Sequence, residues 1–130
     1  MEKTVKFLNE AKVFFLSTVN GDKPDVRPFG AINVFEGRLY LVTSNEKAVY
    51  KQIEKNNNVA ISAVCGGYWI RINTKLVKDD RVEAKRAMLD ANPNLRAMYN
   101  ENDGKIEVLY FTDTLSTISS FTEAPVVEKF

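Results

Sequence analysis

The chain has 130 residues, enough for one domain with a real core, and its 45% apolar and 27% charged residues are an ordinary globular balance. A net charge of +1 leaves no electrostatic footprint for sequence-independent binding to nucleic acid. The absence of His removes an imidazole base, His-ligated haem and the usual zinc ligand set, and a single Cys excludes an internal disulfide or a thiolate cluster.

In chain order, residues 2–11 are predicted as a short amphipathic helix with Val5, Leu8 and Ala11 on one side. Residues 13–19, Val-Phe-Phe-Leu-Ser-Thr-Val, are β-branched and aromatic and read as a strand. Asn20-Gly21 follows at once and is a strong hairpin signal, with Asp22-Lys23-Pro24 completing the turn. The return strand is expected from Asp25 to Phe35. Glu36-Gly37 makes a second tight turn, and Arg38–Thr43 a third strand, so consecutive strands are expected to pair.

The period then changes. From Glu46 to Asn56, Val49 and Ile53 fit one face of a helix, and Asn56-Asn57-Asn58 stops it. Val59–Cys65 is an apolar strand in which Cys65 reads as a small buried hydrophobe; Gly66-Gly67 bends the chain into a strand from Tyr68 to Val77. Asp79 or Asp80 caps a helix over 81–90, with Val82, Ala84, Ala87, Met88 and Ala91 as its inner stripe. Pro93 starts a further helical turn through Tyr99, and 100–105 is a polar loop. Two last strands are expected at Ile106–Thr112 and Ser116–Phe121, with a loosely held tail from Thr122.

The sum is six or seven antiparallel strands and about three helices in a single domain, 1–130, mainly β and best arranged as a small closed or split β-barrel. Neither G-x-G-x-x-G nor G-x-x-x-x-G-K-[ST] occurs, so Rossmann and P-loop nucleotide sites are unsupported. No apolar run approaches the ~18 residues of a membrane span and no basic-plus-apolar leader is present. A soluble, cytoplasmic protein without membrane or nucleic-acid partners is expected.

Two constellations carry chemistry. Lys47 and Lys51 are four apart, so a helix places them on one face, where both can converge on an anion. Thr43 and Ser44, at the end of the preceding strand, add hydroxyls and turn amides. The plainer reading of Lys47, Lys51 and Lys55 is a solvated helix face. Arg27-Pro28-Phe29-Gly30 is odd for a strand interior, because proline cannot donate to the ladder and glycine packs nothing. It marks a bent strand or a place where a flat heteroaromatic ring lies against the backbone. Trp69 can stack on a ring, cap an interface or sit in the core. Asp79-Asp80 is a cap rather than a catalytic pair, and no Ser has a readable base partner.

Taken in order, Phe15-Leu16-Ser17-Thr18-Val19, Asn20-Gly21, Pro24, Arg27-Pro28-Phe29, Gly37-Arg38-Leu39-Tyr40, Thr43-Ser44, Lys47, Lys51-Gln52-Ile53, Asn57-Asn58-Val59-Ala60-Ile61 and Trp69-Ile70-Arg71-Ile72 resemble the pyridoxamine 5′-phosphate oxidase-like split-barrel family. The resemblance implies a homodimer holding FMN at the subunit interface. Arg27, Pro28, Phe29 and Gly30 would line the isoalloxazine ring. Thr43, Ser44, Lys47, Lys51 and Gln52 would bind the ribityl phosphate, and Trp69 and residues of the last two strands would contact the cofactor, from the same or the partner subunit. Asn57-Asn58 stands where many relatives have Asn-Pro, and no pyridoxamine phosphate motif is present. Relatives that use a His near the flavin, such as nitroimidazole reductase-like proteins, or that bind haem through His, are not expected to match. The implied activity is FMN-dependent oxidoreduction of a small molecule, with NAD(P)H as a candidate donor, because the cofactor carries the redox chemistry. The alternatives are a deazaflavin (F420)-dependent reductase of the same fold, a non-catalytic flavin-binding or stress-response protein, and a cofactor-free interaction module.

Overall fold

In the computed structural model, which describes residues 1–130, the chain reverses at Gly21 (φ 65°) and pairs strand β1 (Phe14–Asn20) with β2 (Lys23–Phe29), Asn20 opposite Lys23. Only glycine adopts that left-handed φ freely, so the Asn-Gly dipeptide becomes a hairpin as expected. Helix α1 (Glu2–Ala11) precedes it and buries Thr4, Phe7 and Leu8; Val5 and Ala11, expected on the inner side, are only partly buried. Strands β3 (Ile32–Phe35) and β4 (Arg38–Ser44) pair across the Glu36-Gly37 turn. Helix α2 (Ala48–Lys55) leads to the hairpin of β5 (Asn58–Cys65) and β6 (Tyr68–Asp79), then to α3 (Val82–Ala91), a 3-10 turn (Pro93–Ala97), β7 (Ile106–Ser119) and β8 (Val126–Lys129).

All pairings are antiparallel, and the sheet order is β2-β1-β5-β6-β7-β4-β3 with β8 beside β7. This is the mainly β split-barrel class expected from sequence, with eight strands rather than six or seven. Three expectations need correction. The single strand over 25–35 is two strands, β2 and β3, which lie at opposite ends of the sheet order. The chain breaks at Gly30-Ala31, just after Pro28 has removed a ladder donor. The two strands expected at 106–112 and 116–121 are one, β7. Asp113 takes a left-handed φ of 50° opposite a register shift between Asn73 and Lys75, and the strand bends there without ending. At the bend Thr74 Oγ1 lies 2.8 Å from Thr114 Oγ1 and donates to Thr112 O (3.0 Å).

The tail is not loose. β8 pairs with Leu115–Ile118, and Glu128 holds the start of α1. Its Oε1 accepts from the Thr4 amide (2.8 Å) and hydroxyl (2.7 Å), and its Oε2 from the Lys3 amide (3.1 Å), beside the Met1 amino group at 3.2 Å. A carboxylate here meets unpaired helix amides and the positive end of the helix dipole. Burial alone would raise the Glu128 carboxyl, but these donors outweigh it and push it down to about 2.

Period-two burial sends Val59, Ile61 and Ala63 of β5 and Ile70 and Ile72 of β6 into the main core with Phe7, Leu8, Phe14, Leu16, Leu39, Leu41, Val49 and Ile53. A second cluster lies on the other face of β4 and β7, where Tyr40, Val42, Ile106 and Val108 meet Ala84, Met88 and Leu89 of α3. Burial on both faces accounts for the unbroken apolar run Leu39–Val42. The inner residues of α3 are thus Ala84, Met88 and Leu89, whereas Ala91 is exposed.

Candidate functional site

Where β2 runs out, its last residues face the end of β4 and the start of α2 across a cleft of about 330 Å³. Pro28, Phe29, Gly30 and Ala31 form one wall, Val42 and Thr43 the floor, and Lys47 the polar end. Asn92, Asn94, Leu95, Met98 and Tyr99, from the end of α3 and the 3-10 segment, make the far wall. No carboxylate lines it. Gly30 does not have a left-handed φ, and a Cβ built there would meet only the Lys12 carbonyl at 3.5 Å, so the residue leaves open space rather than relieving strain.

The polar end is built by the β4–α2 turn. Ser44 Oγ accepts from the Glu46 amide (3.2 Å) and Ser44 O from the Lys47 amide (3.1 Å), which fixes the turn. Lys47, exposed and in no ion pair, is the N-cap of α2 in an extended conformation without a side-chain cap bond. The Ala48 and Val49 amides make no hydrogen bond. Thr43 is 3% exposed, and its Oγ1 has no hydrogen-bond partner. A buried hydroxyl without a partner is costly, and here it shares the cleft lining with the unpaired Lys47, while Glu107 stands opposite it across the β4–β7 ladder. Such a set accepts an anion.

Of the ten residues singled out from sequence, Pro28, Phe29, Gly30, Thr43 and Lys47 line this one cleft, and Ser44 orders the turn beside it. Arg27 does not line it. Its Nη1 donates to Thr18 Oγ1 (2.7 Å) and Leu16 O (3.3 Å), and its Nη2 to Gln52 Oε1 (3.1 Å). Gln52 also accepts from Thr18 Oγ1 (2.6 Å) and donates to Asp25 Oδ2 (3.0 Å). Arg27 and Gln52 therefore clamp α2 onto the β1–β2 hairpin, while Lys51, one residue before Gln52, stays exposed. Trp69 lies elsewhere. It sits on the outer face of the sheet, its ring 5.0 Å from that of Phe121, in a shallow cleft of about 590 Å³ with Phe15, Val26, Val64 and Tyr68.

Ala31, Val42 and the whole far wall were missed from sequence. The available signal was Leu95 and Met98-Tyr99, large apolar and aromatic residues in a mostly polar stretch from Asn92 to Lys105. A separate cluster, Tyr40, Asp79, Arg81 and Glu36, is structural. Arg81 pairs with Asp79 (2.9 Å) and Glu36 (3.0 Å), and Tyr40 donates to Asp79 (2.8 Å). The Arg81 guanidinium holds the Asp79 carboxyl down at about 2, and burial, with Asp79 beside it, pushes the Tyr40 hydroxyl up to about 12. Asp79 Oδ1 accepts from the Arg81 amide (3.1 Å), but Arg81 itself is the N-cap of α3 and no side chain caps the helix, so the expected Asp79 or Asp80 cap is not formed.

The family model described as pyridoxamine 5′-phosphate oxidase matches residues 1–113. The chain belongs to that family. It is similar to a NimC/NimA family protein from Clostridium acetobutylicum whose crystal structure superposes with a TM-score of 0.98 at 42% identity, covering 100% of this chain and 92% of that one. General stress protein 26 from Bacillus anthracis str. Sterne shares the fold at a TM-score of 0.76 and 20% identity, covering 99% and 97% of the two chains. So does a FAD-binding protein from Mesorhizobium loti, at 0.63 and 12%, covering 92% and 94%. No curated protein matches the chain. No helix is long and apolar enough to cross a membrane.

Proposed function

We propose that the cleft binds FMN and that the protein is a flavin-dependent oxidoreductase acting on a small molecule. The observation that carries this reading is the buried, unpartnered Thr43 hydroxyl in one cleft with unpaired Lys47, the N-cap of α2, where no carboxylate is among the lining residues. Those donors suit a phosphate dianion, while Pro28–Ala31 opposite Leu95–Tyr99 suit a flat apolar ring. Family membership supports the choice of a flavin, and the FAD-binding protein of the same fold is consistent with it. Bound FMN supplies the redox chemistry, with NAD(P)H as the expected electron donor. The chain's own residues bind and orient it: Thr43, Lys47 and the start of α2 hold the phosphate. Arg27 and Gln52 fix the helix from which those donors project.

The working unit is proposed to be a homodimer. Phe15, Val26, Val64 and Phe121 are 50%, 65%, 74% and 95% exposed on and beside the outer sheet face that carries Trp69, an apolar surface that a second copy would cover. On this reading Trp69 reaches the cofactor across the interface.

The test is direct. Protein purified without added cofactor should be yellow, release FMN on denaturation and bleach on addition of NAD(P)H. Lys47→Ala should weaken FMN binding roughly tenfold or more. A colourless protein that takes up no FMN in titration refutes the proposal.

A further inference from the structure

We infer that Met98 and Tyr99 form the second wall of the ring site, so that the flavin ring is held between them and the backbone of Phe29–Ala31. This rests on the FMN reading and adds to it residues that no sequence motif marks. The donors at Thr43, Lys47 and the start of α2 fix where the phosphate sits, and the ring must then occupy the remainder of the same cleft. That remainder has two sides: the end of β2 with Gly30 and Ala31, and the segment from Asn92 to Tyr99.

The second side is preformed. Asn92 Nδ2 donates to Ile32 O (3.0 Å) and Met88 O (3.2 Å), which ties the segment to β3 and to the end of α3. Arg96 pairs with Asp90 (2.6 Å) and with Glu101 (3.1 Å), and Glu101 in turn with Arg86 (3.2 Å). These bonds fasten the segment to α3 and to the following loop, leaving Met98 and Tyr99 free to line the cleft. Met98 is 67% exposed, a large apolar side chain in a stretch of Asn and Arg, and the Tyr99 hydroxyl makes no hydrogen bond within the protein. A thioether and a phenol are polarisable groups that pack well on an aromatic surface. An exposed Met at the mouth of an apolar cleft gains most when a ring covers it.

The experiment uses the FMN-loaded full chain with Met98→Lys, Met98→Glu and Tyr99→Ala, and Lys129→Glu on β8 as a charge control. Met98 is exposed, so its variants are expected to keep the parent melting temperature and circular dichroism. A charge placed against the ring shifts its reduction potential: upward for Met98→Lys, downward for Met98→Glu, unchanged for Lys129→Glu. Tyr99→Ala should weaken FMN binding roughly tenfold and perturb the flavin absorption bands. If the parent binds FMN and Lys47→Ala weakens it, yet the Met98 and Tyr99 variants keep parental potential, spectrum and affinity, the wall assignment is wrong while the FMN reading stands. If the parent binds no FMN, both fall together.

Discussion

Replacing Thr43 by Val should make the ligand-free protein more stable and the FMN complex weaker. The two side chains have nearly the same shape and both suit a strand, so the substitution removes the hydroxyl and little else. Thr43 is 3% exposed and its Oγ1 has no partner, so the empty protein carries the desolvation cost of that group. Removing it should gain about 1 kcal/mol, which for a chain of this length is a rise in melting temperature of about 3 °C. The same hydroxyl is expected to donate to phosphate, and a hydrogen bond to a charged acceptor contributes about 1.5–3 kcal/mol. Its loss should weaken FMN binding by roughly 10- to 150-fold. Urea denaturation of apoprotein measures the first effect and fluorescence titration with FMN the second. A variant that is less stable and binds FMN like the parent would show that the hydroxyl is structural, and the phosphate assignment would lose its main support.

Two further outcomes follow from other parts of the fold. Glu128 has a folded carboxyl held at about 2, below its ordinary 4.5, so it stabilises the fold above pH ~4.5 and loses that contribution as pH falls from there toward ~2. Glu128→Gln should therefore cost about 1–2 kcal/mol at pH 7 and much less near pH 2.5, measured as urea midpoints at both values; a gap that does not narrow on acidification contradicts the assignment. Val64→Glu alters a side chain that is 74% exposed in one protomer, so it should change monomer stability by no more than ~0.5 kcal/mol yet break a dimer built on that face. Sizing should then fall from about twice 14.7 kDa to 14.7 kDa, and a parent that already elutes as a monomer would reject the interface.

How much could be read from the sequence differs by element. The turns at Asn20-Gly21, Glu36-Gly37 and Gly66-Gly67 were legible because left-handed backbone has a residue signature, and each glycine there has a positive φ. β5 and β6 were legible as strands from their apolar and β-branched composition, and each puts one face in the core. The break between β2 and β3 was not, since it depends on which neighbour each strand finds across the sheet. β7 looked like two strands because Asp113 resembles a turn residue, whereas pairing to β6 on both sides of the bend carries the strand through. β8 was illegible for a similar reason: four residues form a strand only because β7 and the start of α1 receive them. In the site, the awkward Pro28–Gly30 and the Thr43–Lys47 turn advertised themselves by composition. The far wall is delivered by the segment after α3, which begins at Asn92, far along the chain from Lys47, and Arg27 turns to Thr18 and Gln52 through contacts that only the folded hairpin creates.

β7 has one more consequence, for the order in which the molecule is made. Without it the sheet falls into two unconnected pieces, β2-β1-β5-β6 and β4-β3, because β7 alone joins β6 to β4. The candidate cleft takes Pro28 and Phe29 from the first piece and Thr43 from the second. On the ribosome, both pieces emerge well before Ile106–Ser119 does. A nascent chain therefore holds every residue of the cleft before it can hold the cleft itself, and on the proposed reading any cofactor would have to wait for the last long strand. Such distant pairing also slows folding, since its closure entropy must be met before the contacts form. Free FMN, if it binds only the finished barrel, should then leave the refolding rate unchanged and slow unfolding instead.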